Sequence, residues 1–408
     1  MTSFRFIHAA DLHLGSPLSG LALKDRQIAE RFAAAGRDAF TALIDVAIAR
    51  GVDFMVIAGD VYDGAWRDNS IGLFFNREIA RLSRAAIPVY FLRGNHDAES
   101  IVTRTIAMPA GVNEFSTRKP ETYIIESLKV ALHGQGFAER VASDNLALSY
   151  PPAVPGHFNI GVLHTSLSGR PPHAVYAPCT PADLASRGYD YWALGHVHAF
   201  EEVSREPLTL YPGNLQGRNI RETGAKGAVL VTVEDGVARY ERLTLDRARF
   251  EMVEVMVTPD MRESDILQAV ETVLGGIAEE ADERPVALRL RLAGVHEDAN
   301  RMIAAHAEWH DDLQAACQRV HADLWLEKLV IALVPPAKPK AEESDLDITA
   351  MIDAIAGNDA IAVEIEGLIE EIAVKLPGGI AARDLAFPDG YDALLAEARA
   401  ILAARLEN

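Results

Sequence analysis

Phe4-Arg5-Phe6-Ile7-His8-Ala9-Ala10-Asp11-Leu12-His13 carries a short apolar run straight into two side chains that favour metal ions. The same order recurs twice within the first hundred residues. Phe54 to Ala58 is a continuous apolar stretch ending in Gly59-Asp60, and Pro88 to Leu92 leads into Gly94-Asn95-His96-Asp97. Apolar runs of this length, bounded by turn residues, read as buried strands. Residues 24 to 50 place Ile28, Phe32, Phe40, Leu43 and Ile44 at roughly helical spacing, and residues 69 to 85 predict a second helix. A β-α-β-α-β order implies a parallel sheet with helices outside it, and such sheets build their sites at the carboxyl ends of the strands. Asp11, Asp60 and Asn95 each fall at such an end.

Past residue 120 the pattern shifts to strands with shorter connections: Thr122 to Glu126, Lys129 to His133, Phe158 to Leu163 and Tyr189 to Leu194. They predict a second sheet, and two more metal-favouring segments, His164 and Gly195-His196-Val197-His198, follow its strands. Gly227 to Leu245 reads as a hairpin around Glu234-Asp235-Gly236-Val237, closing a first domain over residues 1–248. A different unit then begins. Strands at Glu251 to Val257, Val286 to Leu292 and Leu324 to Leu333 alternate with helices at Ser264 to Leu274 and about 297 to 318, a small α+β domain over 249–334. Residues 335–344 form a stiff, Pro-rich polar linker. Residues 345–408 are rich in Ala, Leu, Ile and Glu with helical periodicity, a tail whose apolar faces are expected to pack on something else.

The chain has 408 residues, 49% of them hydrophobic, enough for two or three domains with proper cores. No apolar run approaches the roughly 20 residues of a membrane helix, and the start shows no signal-peptide pattern, so a soluble cytoplasmic protein is expected. Cys179 and Cys317 lie in different expected domains, which argues against a disulfide framework or a thiolate metal site. Any metal must be held by oxygen and nitrogen. The formal charge of −20 is unevenly placed: residues 1–250 hold 26 Lys and Arg against 27 Asp and Glu, whereas residues 251–408 hold 13 against 32. Bound cations would neutralise several carboxylates of the first part, leaving it able to present a positive surface to phosphates. The acidic remainder is either a solvated surface or a face for a basic protein partner.

Hydrolysing a phosphodiester at neutral pH needs an activated water and neutralisation of charge on the attacking and leaving oxygens; two cations roughly 3.5 to 4 Å apart supply both. A carboxylate must bridge such a pair, and Asp60, preceded by Gly59, is the natural bridge. Asp11 and His13 can reach one metal, Asn95 can give an amide oxygen to the other, and His164, His196 and His198 supply imidazoles. Hard oxygen with borderline nitrogen suits manganese, iron or zinc better than calcium. Each segment alone is commonplace and usually structural. Their ordered joint occurrence, each after an apolar strand, carries the inference.

Ala10-Asp11-Leu12-His13, Gly59-Asp60-Val61-Tyr62-Asp63, Gly94-Asn95-His96-Asp97 and Gly195-His196-Val197-His198 resemble the signature of the calcineurin-like metallophosphoesterases, over residues 4 to about 245. More narrowly, residues 9 to 15, Tyr211-Pro212-Gly213-Asn214 and the appended α+β domain resemble the SbcD-type DNA repair nucleases, with the bacterial YhaO-like exonucleases as closer cousins. The resemblance implies an α/β fold: a calcineurin-like β-sandwich flanked by helices, with a small α+β capping domain and a helical C-terminal tail. It also implies one metal held by Asp11, His13, Asp60 and His198, and a second by Asp60, Asn95, His164 and His196. His96 would be the catalytic imidazole that protonates the leaving oxygen, with Asp97 orienting it. Archaeal and eukaryotic relatives often carry His three residues after the bridge, where this chain, like bacterial members, has Asp63. That departure puts a second catalytic histidine here in doubt.

The implied activity is a two-metal DNA nuclease, with manganese the expected metal and iron or zinc the alternatives. It would act 3′ to 5′ on duplex ends and as an endonuclease on single strands, with an SbcC-like coiled-coil ATPase as gating partner and a homodimer as the usual assembly. The metal site alone does not separate this from a phosphodiesterase or phosphatase on a small molecule or a protein. The domain at 250–334, superfluous for a small substrate, argues for a duplex. An accessory subunit acting by binding alone is disfavoured because all seven expected ligands are present.

The segment from Tyr211 to Gly227 concentrates glycine with Arg218, Arg221 and Lys226 and either tracks a DNA backbone or is an ordinary exposed loop that seals the site. Other residues read as non-functional. His306 and His310 lie at helical spacing, but the Glu between them is at the wrong offset for a zinc-protease motif. His8 and His133 are expected to be non-ligands, His157 and His173 lie in Pro-rich loops, and Ser166 and Ser168 lack a nucleophile-elbow context.

Overall fold

The computed structural model describes residues 3–16, 26–63, 69–99, 109, 111–140, 142–168, 176–336 and 359–375, with 395, 398, 401 and 402. The chain divides into two compact units, residues 1–18 with 26–249, and residues 19–25 with 250–408.

In the first unit β1 (Phe4–Ala9), β2 (Phe54–Ile57), β3 (Val89–Phe91) and β4 (Val112–Glu114) pair in parallel, linked through α1 (Arg26–Arg50) and α2 (Asn69–Arg84), while α3 (Asn95–Glu99) follows β3. A second sheet contains β5 (Glu121–Ile125), β6 (Val130–Gly134), β7 (Phe158–His164), β8 (Tyr191–Gly195), β9 (Glu201–Arg205) and β10 (Leu208–Tyr211), with α4 (Pro181–Ala185) between β7 and β8. Its order is β5-β6-β7-β8-β10-β9. The hairpin of β11 (Gly227–Glu234) and β12 (Val237–Thr244) completes the first sheet, β11 lying antiparallel to β1 and giving the order β12-β11-β1-β2-β3-β4.

Alternation along β1 shows how the layers stack, since successive strand residues point to opposite faces. Phe4 and Phe6 enter the core between the sheets with Phe54, Val56, Leu132, Ile160 and Tyr191, whereas Ile7 and Ala9 join Phe40, Leu43 and Phe75 of the helices outside. Phe6 stacks on Phe54 at 4.9 Å and meets Tyr191 of the facing sheet edge-on at 5.3 Å. The outer face of the second sheet is covered by Tyr150, Leu184, Trp192 and Tyr211. The result is two sheets face to face with helices outside, and the carboxyl ends of β1, β2, β3, β7 and β8 converge.

The second unit is a three-stranded sheet, β13 (Arg249–Val257), β14 (Val286–Val295) and β15 (Leu324–Val334), ordered β13-β14-β15 with β14 and β15 parallel. One core joins its strands to α5 (Glu263–Ala281), α6 (Ala299–Ala304) and α7 (His306–Val320). The single helix expected at about 297 to 318 is thus two, broken at Ala305, whose φ of −92° and ψ of 26° leave the helical region. Sequence periodicity passes over the break because Met302, Trp309, Leu313 and Cys317 keep helical spacing across it and all are buried. Beyond β15 the tail includes α8 (Asp359–Lys375); most of the expected linker and most of the rest of the tail lie outside the described residues. Among the described residues no helix is long and apolar enough to cross a membrane.

Candidate metal centre

The turns that leave β1 and β2 hold their metal-favouring residues in left-handed backbone. Asp11, His13 and Asp60 have φ of 51°, 43° and 54°, and His196, after β8, has φ of 102°. Asp, Asn and His enter this region more readily than other non-glycine residues, and such strain persists where surrounding structure over-determines it. Here the two turns brace each other. The amide of Asp11 donates to the Gly59 carbonyl at 3.0 Å, that of His13 to Asp60 at 3.0 Å, and that of Leu14 to Val61 at 2.9 Å. Gly94 lets the third turn approach, since a Cβ there would lie 2.8 Å from both Cγ and the amide nitrogen of Asp60.

Asp60 divides its carboxylate. Oδ1 accepts the His96 amide at 2.9 Å, and Oδ2 lies 3.4 Å from His164 Nε2 and 4.0 Å from His13 Nε2. One oxygen therefore faces both halves of the cluster. On one side His164 Nε2 is 3.0 Å from Asn95 Oδ1, while its Nδ1 lies 2.9 Å from the Ala58 carbonyl. In the neutral ring, donation from Nδ1 to that carbonyl leaves Nε2 with its lone pair facing Asn95 and Asp60, where a cation would sit. On the other side His13 Nε2 and His198 Nε2 are 3.1 Å apart, and Asp11 Oδ1 is 4.0 Å from His198 Nε2. Two ring nitrogens sharing one ion at roughly 2.0–2.1 Å would lie about 2.9–3.4 Å apart. The separation fits a shared cation.

Ligand atoms of Asp11, His13 and His198 lie within 4.8 Å of one another, as do those of Asp11, Asp60 and His164, and those of His13, Asp60 and His96. His196 belongs to none of these groups. Its amide donates to both Asp11 oxygens, at 3.1 and 2.9 Å, and its ring lies 5.2 Å from that of His164 and 5.0 Å from that of Tyr176.

Burial makes the cluster demand positive charge. Asp11 and Asp60 are 0% and 1% exposed and, among the described residues, meet backbone amides and histidine rings. Burial alone would raise the Asp60 carboxyl, but His164, His13 and His96 hold it far below the usual range. Burial likewise opposes protonation of His164, yet Asp60 and Asp11 draw its imidazole well above its ordinary value. His13, crowded by burial and by Arg218, is pushed the other way, and among the described residues its buried Nδ1 has no hydrogen-bond partner. Two buried carboxylates, an amide oxygen and converging imidazoles fit divalent cations of the manganese, iron and zinc type.

His96 stands at the rim, a third exposed, its ring perpendicular to that of His13 at 4.9 Å. Its Nδ1 pairs with Asp63 Oδ1 at 3.0 Å. Burial disfavours its protonation, but the bond to Asp63 and the charges of Asp60 and Asp63 outweigh burial and raise the imidazole. Asp97, expected to orient His96, has other hydrogen-bond partners. The Asp97 carboxylate is buried and accepts the amides of Val61, Tyr62 and Gly94, at 3.2, 3.0 and 3.2 Å, tying the second and third turns together. Burial and the nearby Asp60 push its carboxyl up to about 7 despite those amides.

The glycine-rich segment after β10 is not an ordinary exposed loop. Arg218 is spent on Glu222 through Nε at 3.2 Å and its terminal nitrogen at 2.8 Å, and that nitrogen also lies 3.1 Å from His198 Nδ1. Lys226, expected on a DNA backbone, is 9% exposed and donates to the His198 carbonyl at 3.0 Å. Arg221 is exposed. Glu222 was not singled out from sequence; the only available signal was its i,i+4 spacing from Arg218. His173 lies outside the described residues, and other histidines have partners away from the cluster. His8 bonds Tyr191 and the Leu194 carbonyl, His133 bonds Thr122 and Asn159 and stacks on Tyr189, and His306 bonds the Leu329 carbonyl.

Residues 4–200 match the calcineurin-like phosphoesterase family, and residues 250–334 match the middle domain of metallophosphoesterase YhaO. The chain is 37% identical over 298 residues, 72% of each chain, to the uncharacterized metallophosphoesterase YhaO of Bacillus subtilis (strain 168). It is 24% identical over 278 residues to the DNA double-strand break repair protein Mre11 of Sulfurisphaera tokodaii, covering 64% of this chain and 68% of that one. For the protein of the same name from Methanopyrus kandleri the identity is 26% over 297 residues, covering 65% and 62%.

Proposed function

Because the chain belongs to the calcineurin-like metallophosphoesterases and is a metal-dependent phosphoesterase, we propose that its substrate is DNA and that it acts as a two-metal nuclease on ends and single strands. The site observation that carries the reading is the single Asp60 oxygen facing His164 at 3.4 Å and His13 at 4.0 Å. The choice of DNA is supported by likeness to relatives named for double-strand break repair. Two divalent cations, manganese by expectation, would be held by Asp11, His13, Asp60 and His198 and by Asp60, Asn95, His164 and His196, and would supply an activated water and neutralise phosphate charge.

The protein's own groups account for the rest. The Asp11 and Asp60 carboxylates are fixed by the amides of His196 and His96, so neither need reorganise when a phosphate arrives. His96 carries protons on both ring nitrogens when charged. Its Nδ1 keeps its proton and donates it in the hydrogen bond to Asp63, and its Nε2 proton goes to the leaving oxygen as the P–O bond breaks, leaving a neutral imidazole still anchored by Asp63. In this reading an SbcC-like coiled-coil ATPase gates access to duplex ends by docking on the helical tail, the protein dimerises, and it works in the cytoplasm.

The test is a manganese-dependent assay on linear duplex, circular single-stranded DNA and bis-p-nitrophenyl phosphate. Wild type should cut both DNAs, and His96→Ala should abolish cutting while metal stays near two per chain. Turnover of the small ester alone would overturn the choice of DNA; undiminished cutting by His96→Ala would overturn the mechanism.

A further inference from the structure

His198 Nδ1 has two neighbours that make opposite demands on it. Glu222 Oε1, at 2.8 Å, can only accept a proton, and the Arg218 guanidinium, at 3.1 Å, can only donate one. A neutral imidazole carries one N–H. If it sits on Nδ1 and points to Glu222, Nε2 keeps its lone pair beside His13 Nε2; if Arg218 occupies Nδ1, the proton moves to Nε2 and a ligand position closes.

We propose that Glu222 is a positioning residue that decides whether His198 can take a cation, and that it does so by out-competing Arg218 for Nδ1. The inference rests on the metal centre proposed above. Glu222 is built for the task. Its side chain is 10% exposed and receives Arg218 Nε and its terminal nitrogen, the Arg218 amide at 2.8 Å and Asn214 Nδ2 at 2.8 Å. The carboxylate thus holds the guanidinium on itself and turns the ring proton toward Nδ1. Arg218 and Lys226 both bond to His198, at Nδ1 and at its carbonyl, and so serve a metal ligand before any phosphate.

The experiment measures manganese binding to the full-length protein by equilibrium dialysis with metal analysis, together with the visible spectrum of the cobalt-substituted protein. Glu222→Ala should weaken one of two manganese sites by about 10- to 100-fold and change the cobalt spectrum. Glu222→Ala with Arg218→Met should recover most of that loss, because His198 is then free to adopt either tautomer. A role confined to loop folding predicts the opposite, a double variant no better than the single one, and that result would overturn the inference. So would wild-type affinity in Glu222→Ala. Asp60→Asn separates the two claims: metal lost there but kept in Glu222→Ala refutes Glu222 alone, whereas two-site binding unchanged in Asp60→Asn refutes the metal centre on which the inference rests.

Discussion

Asp63→Asn isolates what a carboxylate does for His96. Asp63 Oδ1 lies 3.0 Å from His96 Nδ1, with the two side chains 23% and 34% exposed. It stands 3.9 Å from His13 Nδ1, too far to hold that ring by a hydrogen bond. Asn keeps an oxygen that can accept the Nδ1 proton, so ring orientation survives and only the charge is lost. Hydrogen bonds to charged groups contribute about 1.5–3 kcal/mol. Partial exposure puts this pair toward the lower end, about 1.5–2 kcal/mol, or roughly 10- to 30-fold in rate. The loss should depend on the leaving group. A nucleotide oxygen departs as a strong base and needs the His96 proton, whereas p-nitrophenolate departs without one. Single-turnover rates on duplex DNA should therefore fall roughly 10- to 30-fold, while bis-p-nitrophenyl phosphate turnover changes far less and manganese content not at all. Equal losses on both substrates, or loss of metal, would refute the assignment of His96 as proton donor and Asp63 as its support.

Gly94→Ala would drive a Cβ to within 2.8 Å of Asp60 Cγ; overpacking of this kind costs about 1–3 kcal/mol. Manganese binding and the urea midpoint should both drop, and a variant normal in both would show that Asp60 is not held as described. His8 is buried between Tyr191 and the Leu194 carbonyl, and burial lowers its imidazole to about 3 from 6.5, against the opposing effect of that carbonyl. The unfolded chain therefore binds the extra proton between these values, so stability is full above pH about 6.5 and falls as pH drops, by about 2 kcal/mol between pH 7 and pH 5 from this residue. Urea midpoints of wild type should fall more than those of His8→Gln over that range; parallel pH profiles would contradict the reading. Chelation should lower the thermal midpoint because the cluster buries two carboxylates. Manganese at about a hundredfold over its Kd should restore roughly 2.7 kcal/mol, and coincident melts with and without metal would argue against a bound cation.

What the sequence made legible was what lies along the chain. Phe54 to Ala58 and Pro88 to Leu92 read as strands because they are continuous apolar runs, and both are strands of the first sheet. Glu201 to Arg205 carries no apolar strand signal because it is polar, as an edge strand can be, and its place beside β10 depends on pairing rather than pattern. Asp11, Asp60 and Asn95 were legible as site candidates because each ends a strand. Their partners were not, because a hydrogen bond between residues 24 positions apart, such as that of His198 to Glu222, leaves no periodic trace.

The same limit governs the cations after Tyr211. Counted by sign, Arg218, Arg221 and Lys226 suggest a track for phosphates. Arg218 instead meets a buried carboxylate and Lys226 a backbone carbonyl, which leaves Arg221 as the exposed charge of the three. A long-range attraction for DNA depends on charge that remains unneutralised at the surface. If this loop contacts a phosphate in the resting arrangement, Arg221 is the residue placed to do it, and Arg218 acts one step earlier, by yielding His198 to Glu222.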